Sequence, residues 1–140
     1  MIHFSSLFAY SPMASLKATC ALIKLKLTPQ GFIDITAEDL LTRMQSDKPL
    51  TIIDCRRPET FTKIGHIQGA KNYPIMKFDE ECHAIPKDTQ IAVVCYFGLF
   101  CRIASQKLAD LGHKDVLSMK GGMEEWIMSD KPITKTNPMN

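Results

Sequence analysis

The sequence predicts an α/β fold in which a parallel sheet carries helices on both faces, and three observations lead there. Short β-rich runs alternate with segments of helical period along most of the chain. Two of the runs, Leu50 to Ile53 and Ile91 to Cys95, are β-rich and continuous instead of alternating, as strands covered on both sides are, and the second is wholly apolar. The length, 140 residues with 45% apolar side chains, matches one ordinary domain with a single sizeable core.

In chain order, Ile23-Lys24-Leu25-Lys26-Leu27 has the period of two of a half-exposed edge strand, and Pro29-Gln30-Gly31 supplies a turn after it. Thr36-Ala37-Glu38-Asp39 forms a capping box, and Ala37, Leu40, Leu41 and Met44 then give one apolar helical face. Leu50 to Ile53, bounded by Pro49 and Asp54, is the next strand. Pro58 suits a helix's first turn, Gly65 ends that helix, and Gly69-Ala70-Lys71-Asn72 leads into a third strand. Ile91 to Cys95 is a buried strand, after which Ala104, Leu108 and Leu111 draw a helical stripe that stops at Gly112. Val116 to Met119 is a further strand, Gly121-Gly122 a tight connection, and Met123 to Met128 a last short helix ended before Pro132, with Met123 and Trp126 facing the core. The expected organisation is an N-terminal extension over 1–27, a domain over 28–132 and a tail over 133–140.

Composition narrows the functional classes. With 17 basic and 15 acidic side chains the net charge is +2, too near neutral for an electrostatic grip on nucleic acid or an anionic membrane. The longest apolar stretch, Ile91 to Cys101, is shorter than the roughly 20 residues of a spanning helix, so no integral membrane segment is expected. Lys17, Lys24 and Lys26 are the only charges before Asp34, and this serine-containing, acid-free segment is half of an organelle-targeting signature, although it lacks arginine. Five cysteines, an odd number without Cys-x-x-Cys spacing, point to a reducing, cytoplasmic setting. Cys82-His83 offers adjacent ligands with no partner pair, so neither a metal nor another cofactor is expected, and the chain is read as a monomer.

The chemistry is expected where a strand exits into a helix. From Ile91 the chain runs through a strand to Cys95, round Tyr96, Phe97, Gly98, Leu99 and Phe100, and into a helix beginning near Cys101 or Arg102. Such a loop can turn successive N–H groups inward, and the helix adds the positive end of its dipole. A cysteine at the centre ionises more readily than a free thiol, and the thiolate is the nucleophile. The alternative is that Cys95 only closes a core strand as a small apolar residue.

Ile52-Ile53-Asp54-Cys55-Arg56, Pro58-Glu59, Phe61, Gly65-His66-Ile67, Gly69-Ala70 with Asn72, the Cys95 loop and Gly121-Gly122 before Trp126 resemble, in order, the motifs of rhodanese-like sulfurtransferases. The likeness runs over about residues 32 to 128 and rests on several motifs together, each weak alone. It implies a five-stranded parallel sheet and an active loop whose first residue carries sulfur. Carried over, Cys95 is the nucleophile, Tyr96 to Phe100 with Cys101 and Arg102 form the persulfide-binding loop, and Asp54, Arg56 and His66 belong to the scaffold. The implied activity moves sulfane sulfur from thiosulfate or a persulfide to cyanide, a thiol or a protein.

The chain departs from that pattern in three places. The segment between Phe61 and Gly65 is one residue longer. The loop Tyr-Phe-Gly-Leu-Phe is apolar where thiosulfate enzymes often carry basic or small polar residues, which favours a persulfide donor and leaves amides and Arg102 to attract an anion. Cys101 replaces the usual serine or alanine, either as a packed first-turn residue or as a resolving thiol for Cys95. A non-catalytic partner-binding or redox-regulatory module using the apolar loop is the competing class. Phosphatases of similar architecture resemble His-Cys-x5-Arg, but here Val94 precedes the cysteine, Cys101 takes the arginine position, and Arg102 falls one residue late.

Overall fold

The computed structural model describes residues 30–135, and the strand expected over Ile23 to Leu27 lies outside the described residues, as does the whole of the N-terminal extension over 1–27. The described elements are β1 (Ile33–Ile35), α1 (Ala37–Met44), β2 (Leu50–Asp54), α2 (Pro58–Lys63), β3 (Lys71–Asn72), α3 (Phe78–Glu81), β4 (Gln90–Val94), α4 (Phe100–Asp110), β5 (Val116–Met119) and α5 (Gly122–Met128). Single 3-10 turns, Ile75–Lys77 and Cys82–Ala84, flank α3. The strands form one parallel five-stranded sheet in the order β1-β5-β4-β2-β3.

Alternation along the strands divides the core between the two faces. Ile53, Ile91 and Val93 pack on one side with Ala104 and Leu108 of α4 and with Phe78, Cys82 and Ile85. Ile52, Ala92 and Val94 point to the other, against Leu40 of α1, Phe61 of α2, and Met123 and Trp126 of α5. Helices on both faces explain why Ile52-Ile53 of β2 and Ile91 to Val94 of β4 are apolar without alternation.

The first described strand is one that the pattern along the chain does not mark. β1 has three residues with Asp34 in the middle and among the described residues pairs with β5 alone, a run too short and too polar for alternation to reveal. The Thr36 capping box forms as expected, with the Asp39 N–H donating to Thr36 Oγ1 at 3.0 Å. Past the last helix, His66 and Thr134 form an antiparallel bridge. Among the described residues no helix is long and apolar enough to cross a membrane.

This topology sets the place of the site. From β2 the chain moves outward to β3, whereas from β4 it moves the opposite way to β5. The crossover helices α2 and α4 also cover opposite faces, since Phe61 packs with one core cluster and Ala104 with the other. The connections therefore diverge above the carboxyl ends of β2 and β4 and leave a crevice there, the switch point where ligands of open α/β sheets bind.

Candidate active site

Cys55 and Cys95 are the residues immediately after β2 and β4, and both open onto that crevice, a cavity of about 250 Å³. One wall comes from Arg56, Arg57 and Thr60 at the start of α2, the other from Tyr96 and Phe100, and Ile75 and Met76 close the side. Cys95 is 2% exposed, so its sulfur meets the cavity and not bulk water.

The loop from Cys95 to Cys101 curls around that sulfur. Gly98 N–H donates to Cys95 Sγ at 3.0 Å. The loop turns there because Gly98 takes a φ of 89°, in the left-handed region that glycine enters without strain. From outside, the first turn of α5 grips the carbonyls: Met123 N–H donates to Cys95 O at 2.7 Å and Glu124 N–H to Tyr96 O at 3.0 Å. Gly122, with a φ of 60°, permits the approach, since a Cβ there would lie 2.4 Å from Tyr96 O and 2.5 Å from Cys95 O. Those carbonyls face α5, and the N–H groups of Gly98, Phe100 and Cys101 face the sulfur.

Charge on the sulfur is favoured accordingly. The thiol of Cys95 is pushed down to about 6, first by a hydrogen bond from the Cys101 side chain and then by the N–H groups of Cys101, Gly98 and Phe100, which together outweigh burial. Phe100 and Cys101 belong to the first turn of α4, whose dipole points its positive end the same way. Cys101 is fully buried, receives a hydrogen bond from Ser118 Oγ at 3.3 Å, and lies 3.5 Å from Met119 O. Its single proton serves Cys95 when that sulfur is a thiolate. The demand pushes the Cys101 thiol up, with burial adding to it. Cys55 is pushed up as well, by burial first and then by the charges of Asp54 and Cys95.

The other expected site residues divide into rim and support. Tyr96, Phe97, Leu99 and Phe100 form an exposed apolar rim, with Phe97 and Leu99 about two-thirds exposed at 64% and 65%. Arg102 does not join the cradle: its guanidinium pairs with Asp34 and sits 5.1 Å from the Phe32 ring centroid, on the β1 side of α4. This corrects its expected place in the binding loop, and the reason is helical geometry, since one residue beyond Cys101 turns the side chain about 100° round the axis. The same placement leaves no arginine where the phosphatase pattern requires one.

Asp54 and Arg56 are buried in a bidentate pair, with Nη2 to Oδ2 at 2.7 Å, and Arg56 Nη2 also donates to Gly65 O at 2.7 Å. His66 stacks on Phe61 with ring centroids 3.7 Å apart and places Nδ1 3.0 Å from Phe61 O, away from Cys95. Asn72 Nδ2 donates to the carbonyls of Asp54 and Arg56, which fixes the chain as it leaves β2. Sequence reasoning missed the wall of Ile75 and Met76, which has no periodic signal; for Cys55, at another strand exit, it offers core packing or a place in the same crevice, and the residue is both buried in the core and part of the cavity lining.

Comparison with known proteins agrees with this architecture. Residues 36–129 match the family model described as the rhodanese-like domain. The chain is 30% identical over 104 residues to the thiosulfate sulfurtransferase GlpE of Vibrio cholerae, covering 72% of this chain and 92% of the relative. It is 26% identical over 93 residues to the putative sulfur carrier protein YrkF of Bacillus subtilis, covering 66% of this chain but spanning only 50% of that longer protein. Among solved structures, a rhodanese-related protein from Thermoplasma volcanium superposes with a TM-score of 0.69 at 27% identity, over 75% of this chain and all of the other. A parallel sheet that cups a cysteine loop above its carboxyl edge, with the motifs in matching order, places the chain in the rhodanese-like domain family.

Proposed function

We propose that the protein is a rhodanese-type sulfurtransferase that carries sulfane sulfur on Cys95. The observation that supports this most is the ring of hydrogen-bond donors, from Gly98, Phe100 and Cys101, around one sulfur at the mouth of a cavity. In the first step the Cys95 thiolate attacks the outer sulfur of the donor. A Cys95 S–S bond forms, the donor S–S bond breaks, and sulfite or a thiolate leaves with the electron pair. In the second step cyanide or an acceptor thiolate attacks the terminal sulfur, and Cys95 returns as the thiolate the cradle already stabilises. The apolar rim and the outward Arg102 favour an organic or protein persulfide over thiosulfate as the donor. A cytoplasmic monomer is the form in which this reading sets the enzyme.

Intact mass after treatment with thiosulfate or glutathione persulfide tests it. Wild type should gain one sulfur atom and release it to cyanide as thiocyanate, and Cys95→Ser should gain none. A second reading, a partner-binding module, is favoured by the exposure of Phe97 and Leu99. A wild type that takes sulfur from no donor would select it.

A further inference from the structure

We infer that Cys55 is a resolving thiol which converts the Cys95 persulfide into a Cys55–Cys95 disulfide and free hydrosulfide, giving the protein a persulfide-reducing activity. The inference rests on the sulfurtransferase reading of Cys95 and adds a second fate for the sulfur it carries.

Position is the first argument. In the parallel pair of β2 and β4, Asp54 lies opposite Val94. Cys55 N–H donates to Val94 O at 2.8 Å, so the ladder continues one residue further and sets Cys55 beside Cys95. Neighbouring strands run roughly 4.8 Å apart, inside the Cα separation of about 4.4–6.8 Å that a disulfide spans. Both side chains belong to the core on the same face of the sheet, and both line the same cavity. No other cysteine does so among the described residues: Cys82 and Cys101 are buried away from it. Cys101 is also engaged with Ser118 and Met119 beneath the loop.

Chemistry is the second. The Cys55 sulfur attacks Cys95 Sγ, the inner sulfur of the persulfide. The Cys55–Cys95 bond forms, the bond to the terminal sulfur breaks, and its electron pair leaves with that sulfur. The proton of the Cys55 thiol accompanies it, so thiol plus persulfide anion gives disulfide plus HS⁻ with charge and atoms conserved. The terminal sulfur is reduced and the Cys55 sulfur oxidised to the same extent, so no outside oxidant enters. Two equivalents of a small thiol then reduce the disulfide and restore the enzyme. The donors that cradle an anionic sulfur also suit the departing hydrosulfide. Burial keeps Cys55 protonated while Cys95 is a thiolate, so the proton the step needs is at hand.

The test loads the full chain with glutathione persulfide, removes donor and free thiol, and follows sulfide release and intact mass without cyanide. Wild type should release one equivalent of sulfide and end two hydrogens lighter than the reduced chain, with peptide mapping linking Cys55 to Cys95. Cys55→Ser and Cys55→Ala should hold the added sulfur, with sulfide release slowed by about tenfold or more. Cyanide should then draw thiocyanate from them, which shows that their sites are folded. Cys101→Ser should still yield the Cys55–Cys95 linkage. A wild type that gains the sulfur and keeps it, or a linkage that maps to Cys101, overturns this inference and leaves the Cys95 reading standing. A wild type that neither gains sulfur nor releases sulfide overturns both.

Discussion

Gly98 N lies 3.0 Å from Cys95 Sγ, and within the loop between these strand and helix ends only Gly98 has a left-handed backbone. That conformation aims the N–H inward. A Cβ at the same position would stand 2.9 Å from Gly121 N and 3.4 Å from Met119 O, both backbone atoms that have no room to yield. Gly98→Ala should therefore cost about 1–3 kcal/mol of stability from strain, read from denaturant unfolding. Sulfur loading on Cys95 should fall by tenfold or more, on the order of the strain cost if the loop relaxes away from the sulfur. Normal loading in a destabilised variant would show that this donor is dispensable.

The charge state of Cys95 gives a prediction with a definite sign. The folded thiol sits at about 6, so alkylation by iodoacetamide should be near its plateau at neutral pH and fall as the pH drops through about 6. Cys101 supplies the largest contribution, so Cys101→Ala should move that fall to higher pH, back toward an ordinary thiol. Cys101→Ser retains a hydroxyl donor and should move it less. Identical profiles in the three proteins would remove the Cys101 hydrogen bond from the account.

Most of this frame was legible in the chain because its signals are local. The capping box at Thr36, the β-rich runs of β2 and β4, and the stripe of Ala104 and Leu108 each follow from spacing along a few residues. Cys95 was legible for the same reason, as a strand exit followed by a glycine and a helix start. What escaped depends on distance in sequence. β1 takes its place by pairing with β5, more than 80 positions away, and Asp34 pairs with Arg102 across 68 positions. The grip of Met123 on Cys95 O likewise needs α5 folded against β4 before it exists. Arg102 turns away from the loop toward Asp34, a partner on β1 that only the folded sheet brings beside α4.

The scaffold behind the cavity should respond to loss of one charge. Asp54 is fully buried and Arg56 nearly so, and Arg56 Nη1 already lacks a protein partner. Asp54→Asn leaves a guanidinium buried without its carboxylate, a change that costs about 3–5 kcal/mol. Urea unfolding should show a lower midpoint with little change in slope. Because Arg56 Nη2 also holds Gly65 O, and Asn72 holds the carbonyls of Asp54 and Arg56, the cavity wall should loosen with it. A shift below about 1 kcal/mol would mean that the pair is solvated in a way its burial does not suggest.

The rim decides which donor the site prefers. Phe100 is half-exposed, lines the cavity and begins α4, one residue before Cys101 in the first turn. A guanidinium at that position would stand over the cavity mouth, near the positive end of the helix, and would offer a dianion the side-chain charge that the native loop lacks. Phe100→Arg should lower the KM for thiosulfate by several-fold, roughly the effect of one partly exposed charge contact of about 1 kcal/mol, and the gain should shrink in high salt. With a neutral organic persulfide the same substitution should raise KM, because an apolar contact is replaced by a hydrated cation. Steady-state kinetics with the two donors separates the effects. If the arginine changed neither, or improved both alike, donor choice would not reside in the polarity of this rim.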